Sequence, residues 1–153
     1  MKRILSLSLL LFSIVVHAQK KPLDHTVYDQ WQSIRDVVLS NDGNWLSYTV
    51  APQEGDAILF IKKLNSNQIF KIERGAQLQF TENNGFAIAK IKPTFIETRQ
   101  AKIAKKKPEE LPKDSLLIID LSSNDVKRIP SVKSFQLAEH NSSTIVYLKE
   151  DRK

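Results

Sequence analysis

The sequence predicts an all-β protein, namely an incomplete N-terminal β-propeller of about two to three blades, preceded by a signal peptide and a short helix. Three observations support this prediction. Short runs rich in aromatic and β-branched residues follow one another after residue 37. A turn-then-strand pattern recurs at a spacing near 40 residues, which is typical of propeller blades. The first residues have the charge and apolar pattern of an export signal.

The N-terminus carries the signature of a secretory signal. Lys2 and Arg3 precede a run of apolar residues and serines over 4–16, and Ala18 ends a small-residue cleavage pattern. A membrane anchor is the alternative, but a spanning helix needs about 20 apolar residues. We therefore expect residues 1–18 to be a signal peptide. The mature chain is expected to be exported to the periplasm or the extracellular space, without a stable membrane span.

Composition excludes several classes of function. The chain has no cysteine, so disulfides, thiol nucleophiles and thiolate metal sites are impossible. Its formal net charge is +6, of which Lys2 and Arg3 contribute two charges. Residues 92–115 hold seven basic and four acidic residues, so most of the remaining excess is local. A basic face extending over the whole domain, as nucleic-acid binding requires, is not expected.

Residues 19–36 are expected to form an N-terminal extension with a short helix. Val27, Trp31, Ile34 and neighbouring apolar residues follow near-helical spacing, and Thr26-x-x-Asp29 resembles a capping box. The pattern predicts a helix at about 26–34 whose aromatic side chains pack on the following strands. A ligand-binding aromatic patch is the alternative.

A meander of short antiparallel strands is predicted next. The runs rich in apolar and β-branched residues are 45–50, 57–62 and 68–72. Asn65-Ser66-Asn67 separates the last two as a turn signal.

The opening pattern of this meander recurs. An apolar residue, a polar turn containing Asn, Asp or Gly, and a strand occur over 39–48 and again over 80–89, and more weakly over 137–147. Gly, Asn and Asp suit such turns because they tolerate positive φ best. The repeat predicts a partial propeller over residues 37–153. Chance similarity between hairpin turns is the alternative.

A charged insertion over 92–115 interrupts the repeat. Residues 97–106 have helix-forming composition, and Pro108 ends that segment. We expect a solvated excursion between strands, with a docking segment for another domain or an anionic surface as the alternative. Strands are predicted after it at 115–121, 126–129 and 144–148.

Candidate catalytic groups are few. His25 and His140 are the only histidines outside the signal, and their spacing matches no metal-ligand motif. The four glycines form no G-x-S-x-G turn and no phosphate-binding loop. Asp42, Glu54 and Asp56 could do acid–base work, but acids in loops beside glycine are expected to be turn formers. The sequence therefore assigns no catalytic, cofactor-binding or metal-binding residue and implies no cofactor.

Several segments together resemble a known family. The segments at 21–34, 39–43 and 48–56, and the insertion from 91 to 115, are similar to the mature N-terminal part of secreted prolyl-oligopeptidase-like serine peptidases (family S9) of Bacteroidetes-type bacteria. The resemblance implies an N-terminal propeller that admits short peptides and packs on a C-terminal α/β-hydrolase domain. That domain would carry a Ser, Asp and His triad. No position of this sequence matches the triad, so this chain is expected to be inactive alone.

Two further hypotheses stay open beside the peptidase propeller. The chain could be a stand-alone exported binding or scaffold module without enzymatic activity, or a small exported β-sandwich. If the chain is the propeller part of a peptidase, its expected partners are the hydrolase domain of a parent protein and the peptides that this parent hydrolyses.

Overall fold

A computed structural model describes residues 31–139 and 144–150. This part of the chain forms ten β-strands, one α-helix and a short 3₁₀ turn at Pro108–Glu110. The elements are β1 (Gln32–Leu39), β2 (Trp45–Pro52), β3 (Ile58–Lys63), β4 (Ile69–Glu73), β5 (Gly75–Phe80), β6 (Phe86–Ile91), α1 (Phe95–Ile103), β7 (Ser115–Asp120), β8 (Val126–Ile129), β9 (Val132–Leu137) and β10 (Ile145–Lys149).

The strands form three antiparallel sheets that follow the order of the chain. Strands β1 to β4 make one four-stranded sheet and β5 to β8 another, and β9 pairs with β10. We call them blade 1, blade 2 and the half-blade. Consecutive up-and-down sheets of four strands are the units of a propeller. The predicted all-β class, with two to three blades, is confirmed.

The hydrophobic core lies between the sheets. One cluster joins Trp45, Leu59 and Ile61 of blade 1 to residues of β5, β6 and β7 in blade 2. A second cluster joins Ile88 and Leu116 of blade 2 to β9 and β10 of the half-blade. Blade 2 is therefore covered on both faces, and its burial makes it the centre of the described structure.

Burial explains the sequence of the inner strands. Strand β2 alternates buried and half-buried residues, because one of its faces packs on blade 2. Five consecutive residues of β6 from Ala87 to Ile91 are buried, because odd positions face blade 1 and Ile88 faces the half-blade.

The repeated turn has the same hydrogen bonds in both blades. In blade 1, the hydroxyl of Ser40 accepts a hydrogen bond from the amide of Trp45 at 2.9 Å. In blade 2, the hydroxyl of Thr81 accepts one from the amide of Phe86 at 3.0 Å. Asp42 and its counterpart Asn83 each accept a hydrogen bond at 3.0 Å from the amide two residues later. The predicted repeat is thus structural and not a chance similarity.

The first strand of each blade also has the same irregularity. The pairing register shifts in β1 between Arg35 and Val38, and in β5 between Ala76 and Gln79. Asp36 and Gln77 lie at these bulges with φ of 51° and 53°. A bulge bends a strand and increases its twist, so the two blades share this deformation.

Some predicted boundaries are wrong. The expected helix at about 26–34 cannot extend to residue 34, because Ile34 lies in β1 and pairs with Val50 of β2. Residues 26–30 lie outside the described part of the chain. Strands β5 and β9 were not expected, and the insertion helix begins at Phe95 rather than at residue 97. The predicted signal peptide also lies outside the described residues. Among the residues described, no helix is long and apolar enough to cross a membrane.

Candidate functional site

A cavity of about 490 Å³ opens between blades 1 and 2. It lies at the end of the strands where β1 begins and β2 ends. Three chain segments surround its mouth. They are the loop between β2 and β3, the crossover from β4 to β5, and the insertion between β6 and β7.

The insertion is fixed to blade 1 at the start of α1. The amide of Phe95 donates a hydrogen bond of 2.7 Å to Oδ1 of Asp56 in the β2–β3 loop. Thr94 and Glu97 form a capping box at the same helix end. The hydroxyl and the amide of Thr94 donate to the Glu97 carboxylate and lower its pKa. A carboxylate at a helix N-terminus is favourable because of the orphan amides there, so this end of the insertion is docked.

The rest of the insertion is more exposed. Ala101 is the buried residue of α1, while Ile96 and Ile103 point into solvent. The expectation of a solvated excursion therefore holds for the outer face of the helix and not for its start.

A lysine cluster connects the far side of the cavity to the half-blade. Nζ of Lys92 lies 2.7 Å from Oδ2 of Asp114, and Nζ of the buried Lys90 lies 3.6 Å from the same oxygen. Lys90 also donates a hydrogen bond of 2.7 Å to the carbonyl of Lys133. Buried charges are tolerated when they are paired and hydrogen-bonded, so these groups stabilise the junction of blade 2 with the half-blade.

The crossover residue Arg74 is pinned by its backbone. Its amide donates to the carbonyl of Ala57 at 2.7 Å, and its carbonyl accepts from the amide of Lys92 at 2.9 Å. Its φ is 61°. Gly75 follows it where a Cβ atom would lie 2.6 Å from Cβ of Leu59, so only glycine fits there. These contacts hold the half-buried side chain of Arg74 at the cavity.

Thr49 contributes a buried hydroxyl to the cavity wall. The residue is 4% exposed, and its Oγ1 has no hydrogen-bond partner in the described part of the chain. Arg35 lies directly opposite it on β1, on the same face of the sheet. A buried hydroxyl without a partner costs free energy unless something else supplies the hydrogen bond.

The three acids considered from the sequence do not come together. Asp42 lies in the β1–β2 turn at one end of β2, and Glu54 and Asp56 lie in the loop at its other end. The hydroxyl of Ser40, followed by the amide and side chain of Asn44, lowers the pKa of Asp42. The interpretation of Asp42 as a turn former is confirmed, and Asp56 instead binds the amide of Phe95.

The two histidines add no information on metal binding. His25 and His140 both lie outside the described residues. Within 31–139 and 144–150, no group of three or more His, Cys, Asp or Glu side chains could hold a metal ion. The expected absence of a metal stays a prediction.

Sequence reasoning missed Thr49, Arg74 and Lys92, because no local motif links them. A usable signal existed in the topology. In a propeller, the crossover between blades and the loops between second and third strands lie at the same end of the strands, since successive strands are antiparallel. The predicted repeat could therefore have placed residues 53–57, 74 and 92–114 at one face.

Comparisons with known structures identify a β-propeller domain among the similar proteins. The chain is similar to the β-propeller domain of the trilobed protease from Pyrococcus furiosus, described as having an open velcro topology, with a TM-score of 0.53 and 15% identity. It is also similar to the acylaminoacyl peptidase from Pyrococcus horikoshii, with a TM-score of 0.53 and 11% identity. Both matches cover 76% of this chain, but only 34% of the chain of that propeller domain and 17% of the chain of the acylaminoacyl peptidase. No protein-family model and no curated protein sequence matches the chain. The fold is that of a β-propeller.

Proposed function

We propose that this chain supplies the first blades of the propeller of an S9-type serine peptidase, where it gates peptides and packs on a hydrolase domain. The observation that carries the proposal is the likeness of the chain to the β-propeller domain of a protease and to an acylaminoacyl peptidase. The family resemblance of the segments at 21–34, 39–43, 48–56 and 91–115 supports the same proposal. Peptide hydrolysis would be the activity of the parent protein, whose substrates are short peptides.

Exposed sheet surfaces agree with a larger assembly. Val146 and Leu148 on β10 are 67% and 56% exposed, and within the described residues the half-blade has two strands where its neighbours have four. Exposed apolar side chains on a strand at the edge of a sheet are unfavourable, and another element usually covers them. Further blades of the same propeller would provide that cover.

The reading frame beyond Lys153 gives the decisive test of the peptidase proposal. We expect it to continue into further strands and then into a G-x-S-x-G segment of an α/β-hydrolase domain. The protein made from that frame should hydrolyse short peptides and lose this activity when the serine of the motif is replaced by alanine. A stop codon followed by unrelated sequence would contradict the proposal.

Export is a second part of the proposal and has its own test. Mass spectrometry of the protein recovered from a bacterial host should show a mature chain that begins at Gln19 in the periplasm or medium. A chain that keeps Met1 and stays inside the cell would contradict it.

A stand-alone binding module is the second candidate. It is favoured by one observation, which is that the cavity is lined by residues of blades 1 and 2 and of the loops and insertion that connect their strands. Ligand binding there does not require a hydrolase domain. Binding without hydrolysis in the complete protein would support this candidate over the first.

A further inference from the structure

The cavity between blades 1 and 2 is lined by the cations Arg35, Arg74 and Lys92 and by the carboxylates of Asp36, Asp56 and Asp114. Nε of Arg35 donates a hydrogen bond of 2.9 Å to Oγ of Ser33. The carboxylate of Asp114 is paired with Lys92 at 2.7 Å, and that of Asp56 accepts the amide of Phe95. The guanidinium of Arg74 has no hydrogen-bond acceptor in the described part of the chain. Its anionic neighbour is Glu97, whose carboxylate is held by Thr94 in the capping box.

An arginine in this setting is suited to a carboxylate ligand. The guanidinium offers five donors in a planar fork that matches the two oxygens of a carboxylate. Arg74 is half-buried, so a bound carboxylate would be partly shielded from water, and its charge-assisted hydrogen bonds would be stronger than at an exposed site. The pinned backbone on both sides of Arg74 limits the freedom lost when a ligand binds.

The hydroxyl of Thr49 is an independent second observation. It lines the same cavity, and within the described residues it is the one buried side-chain polar atom without a partner. A hydroxyl can donate to a carbonyl or accept from an amide. A peptide bond offers both groups, whereas a simple inorganic anion offers only acceptors.

The remaining wall favours an apolar side chain. Ala51, Ala57, Pro93, Phe95 and Leu111 contribute carbon surface around the charged groups. A volume of about 490 Å³ lies within the range of pockets that enclose small organic ligands. This volume accommodates one or two residues of a peptide and not a folded domain.

We propose that this cavity binds the carboxyl end of a short peptide whose last residue is apolar. The terminal carboxylate pairs with the guanidinium of Arg74, the apolar side chain packs against Phe95 and its neighbours, and the hydroxyl of Thr49 hydrogen-bonds to the peptide backbone. This inference deepens the proposed function, because it names the end of the peptide that the propeller part recognises.

The test uses N-acetyl-Ala-Phe with a free carboxylate and the same dipeptide as its carboxamide. Each is titrated into the purified chain, and binding is measured by NMR chemical-shift changes at the cavity residues. We expect the acid to bind at least about ten-fold more tightly than the amide, because only the acid makes charge-assisted hydrogen bonds.

Three variants assign this preference to particular groups. Arg74→Gln should reduce the acid-to-amide ratio to within about two-fold, and Arg74→Lys should give an intermediate ratio because a charge remains without the planar fork. Thr49→Val should weaken both ligands several-fold and leave their ratio unchanged, since it removes one hydrogen bond common to both. Arg128→Gln is the matched control, because Arg128 lies in an exposed position of β8 and lines no part of this cavity.

Several results would overturn the inference. They are equal affinity for acid and amide, an acid preference that survives Arg74→Gln, or absence of shifts at the cavity with millimolar dipeptide in a folded sample. None of these results bears on whether the reading frame continues into a hydrolase domain. The inference and the proposed function can therefore fail separately.

Discussion

Blades 1 and 2 have the same plan and different surroundings. They share the order of strands, the hydrogen-bonded turn after the first strand, and the bulge at Asp36 and Gln77. Blade 2 lies between two sheets, whereas one face of blade 1 is covered by no described residue. The difference shows which sequence features belong to the blade itself and which belong to its neighbours.

Side-chain size follows the surroundings. Tyr48 and Ala89 occupy the same position of β2 and β6, 41 residues apart. Tyr48 stacks on Phe60 of its own sheet with ring centroids 5.3 Å apart and remains half-buried. Ala89 is fully buried in the cluster that contains Leu59 and Ile61 of blade 1. Small residues in β6 are therefore a consequence of close sheet packing.

The largest expected effect is a difference in the free energy of unfolding between truncations on the buried face of blade 2 and on the exposed face of blade 1. Ile88→Ala should lower the free energy of unfolding by about 3 kcal/mol, because it leaves a cavity between blade 2 and the half-blade. Ile34→Ala in β1, where the side chain is 67% exposed, should cost less than about 0.5 kcal/mol. Urea unfolding followed by circular dichroism measures both. Similar losses at the two sites would show that blade 1 is covered on its free face.

A larger side chain should destabilise the protein when it is placed in the core between the blades, whereas a conservative change at the matching position of blade 1 should not. Ala89→Val should destabilise the protein by about 2 kcal/mol, because there is no room for two methyl groups against blade 1. The conservative change Tyr48→Phe at the matching position of blade 1 should change stability by less than about 0.5 kcal/mol. Thermal unfolding compares the two. If Ala89→Val were neutral, the packing between the blades would be looser than described.

The shared turn should respond equally in both blades. Ser40→Ala and Thr81→Ala each remove a buried hydroxyl that accepts the amide of the next strand. Each should cost about 1 kcal/mol, and the two values should agree within about 0.5 kcal/mol. Ser134→Ala, in an exposed position of β9, serves as the control. Urea midpoints check the prediction, and a large difference between the blades would mean that the turns are not equivalent.

The smallest effect concerns pH, because Asp42 and Asn83 occupy the same position of that turn. The Ser40 hydroxyl lowers the pKa of Asp42 in the folded state. Its contribution to stability is therefore complete above the unfolded pKa near 4 and is lost as the pH falls through the lower folded value.

Two matched variants test this pH dependence. Asp42→Asn should flatten the loss of stability in acid, and Asn83→Asp should steepen it, as measured by urea midpoints from about pH 6 to about pH 3. Opposite changes, or no change in either variant, would contradict the equivalence of the turns.

Local patterns predicted much of this fold, and long-range contacts decided the rest. Strands β2, β3, β4, β6, β7, β8 and β10 were expected because their apolar and β-branched residues stand out from the turns between them. Strand β5 was missed because Gln77 and Gln79 interrupt its apolar residues and a bulge breaks its alternation. The start of β1 was mistaken for helix because pairing with β2 overrides its near-helical spacing.

The cavity could not be predicted because its groups come from separate blades. Thr49, Arg74 and Lys92 meet only when the two sheets stack, and none of them belongs to a recognisable motif. Even with the propeller predicted, the sequence gives no sign that the Thr49 hydroxyl lacks a partner. That property depends on which atoms of the opposite sheet come within reach.

The hydrogen bond between Asp56 and the amide of Phe95 crosses the boundary between the two blades. Asp56 lies in the loop between β2 and β3 of blade 1, and Phe95 begins α1, which connects two strands of blade 2. Tilting the two sheets apart to widen the mouth of the cavity must break this hydrogen bond and leave the amide of Phe95 without this acceptor. The ion pair between Glu54 and Arg99, with 4.0 Å between Oε2 and Nη1, joins the same loop to the same helix. Entry of a bulky molecule is therefore coupled to the release of these rim contacts.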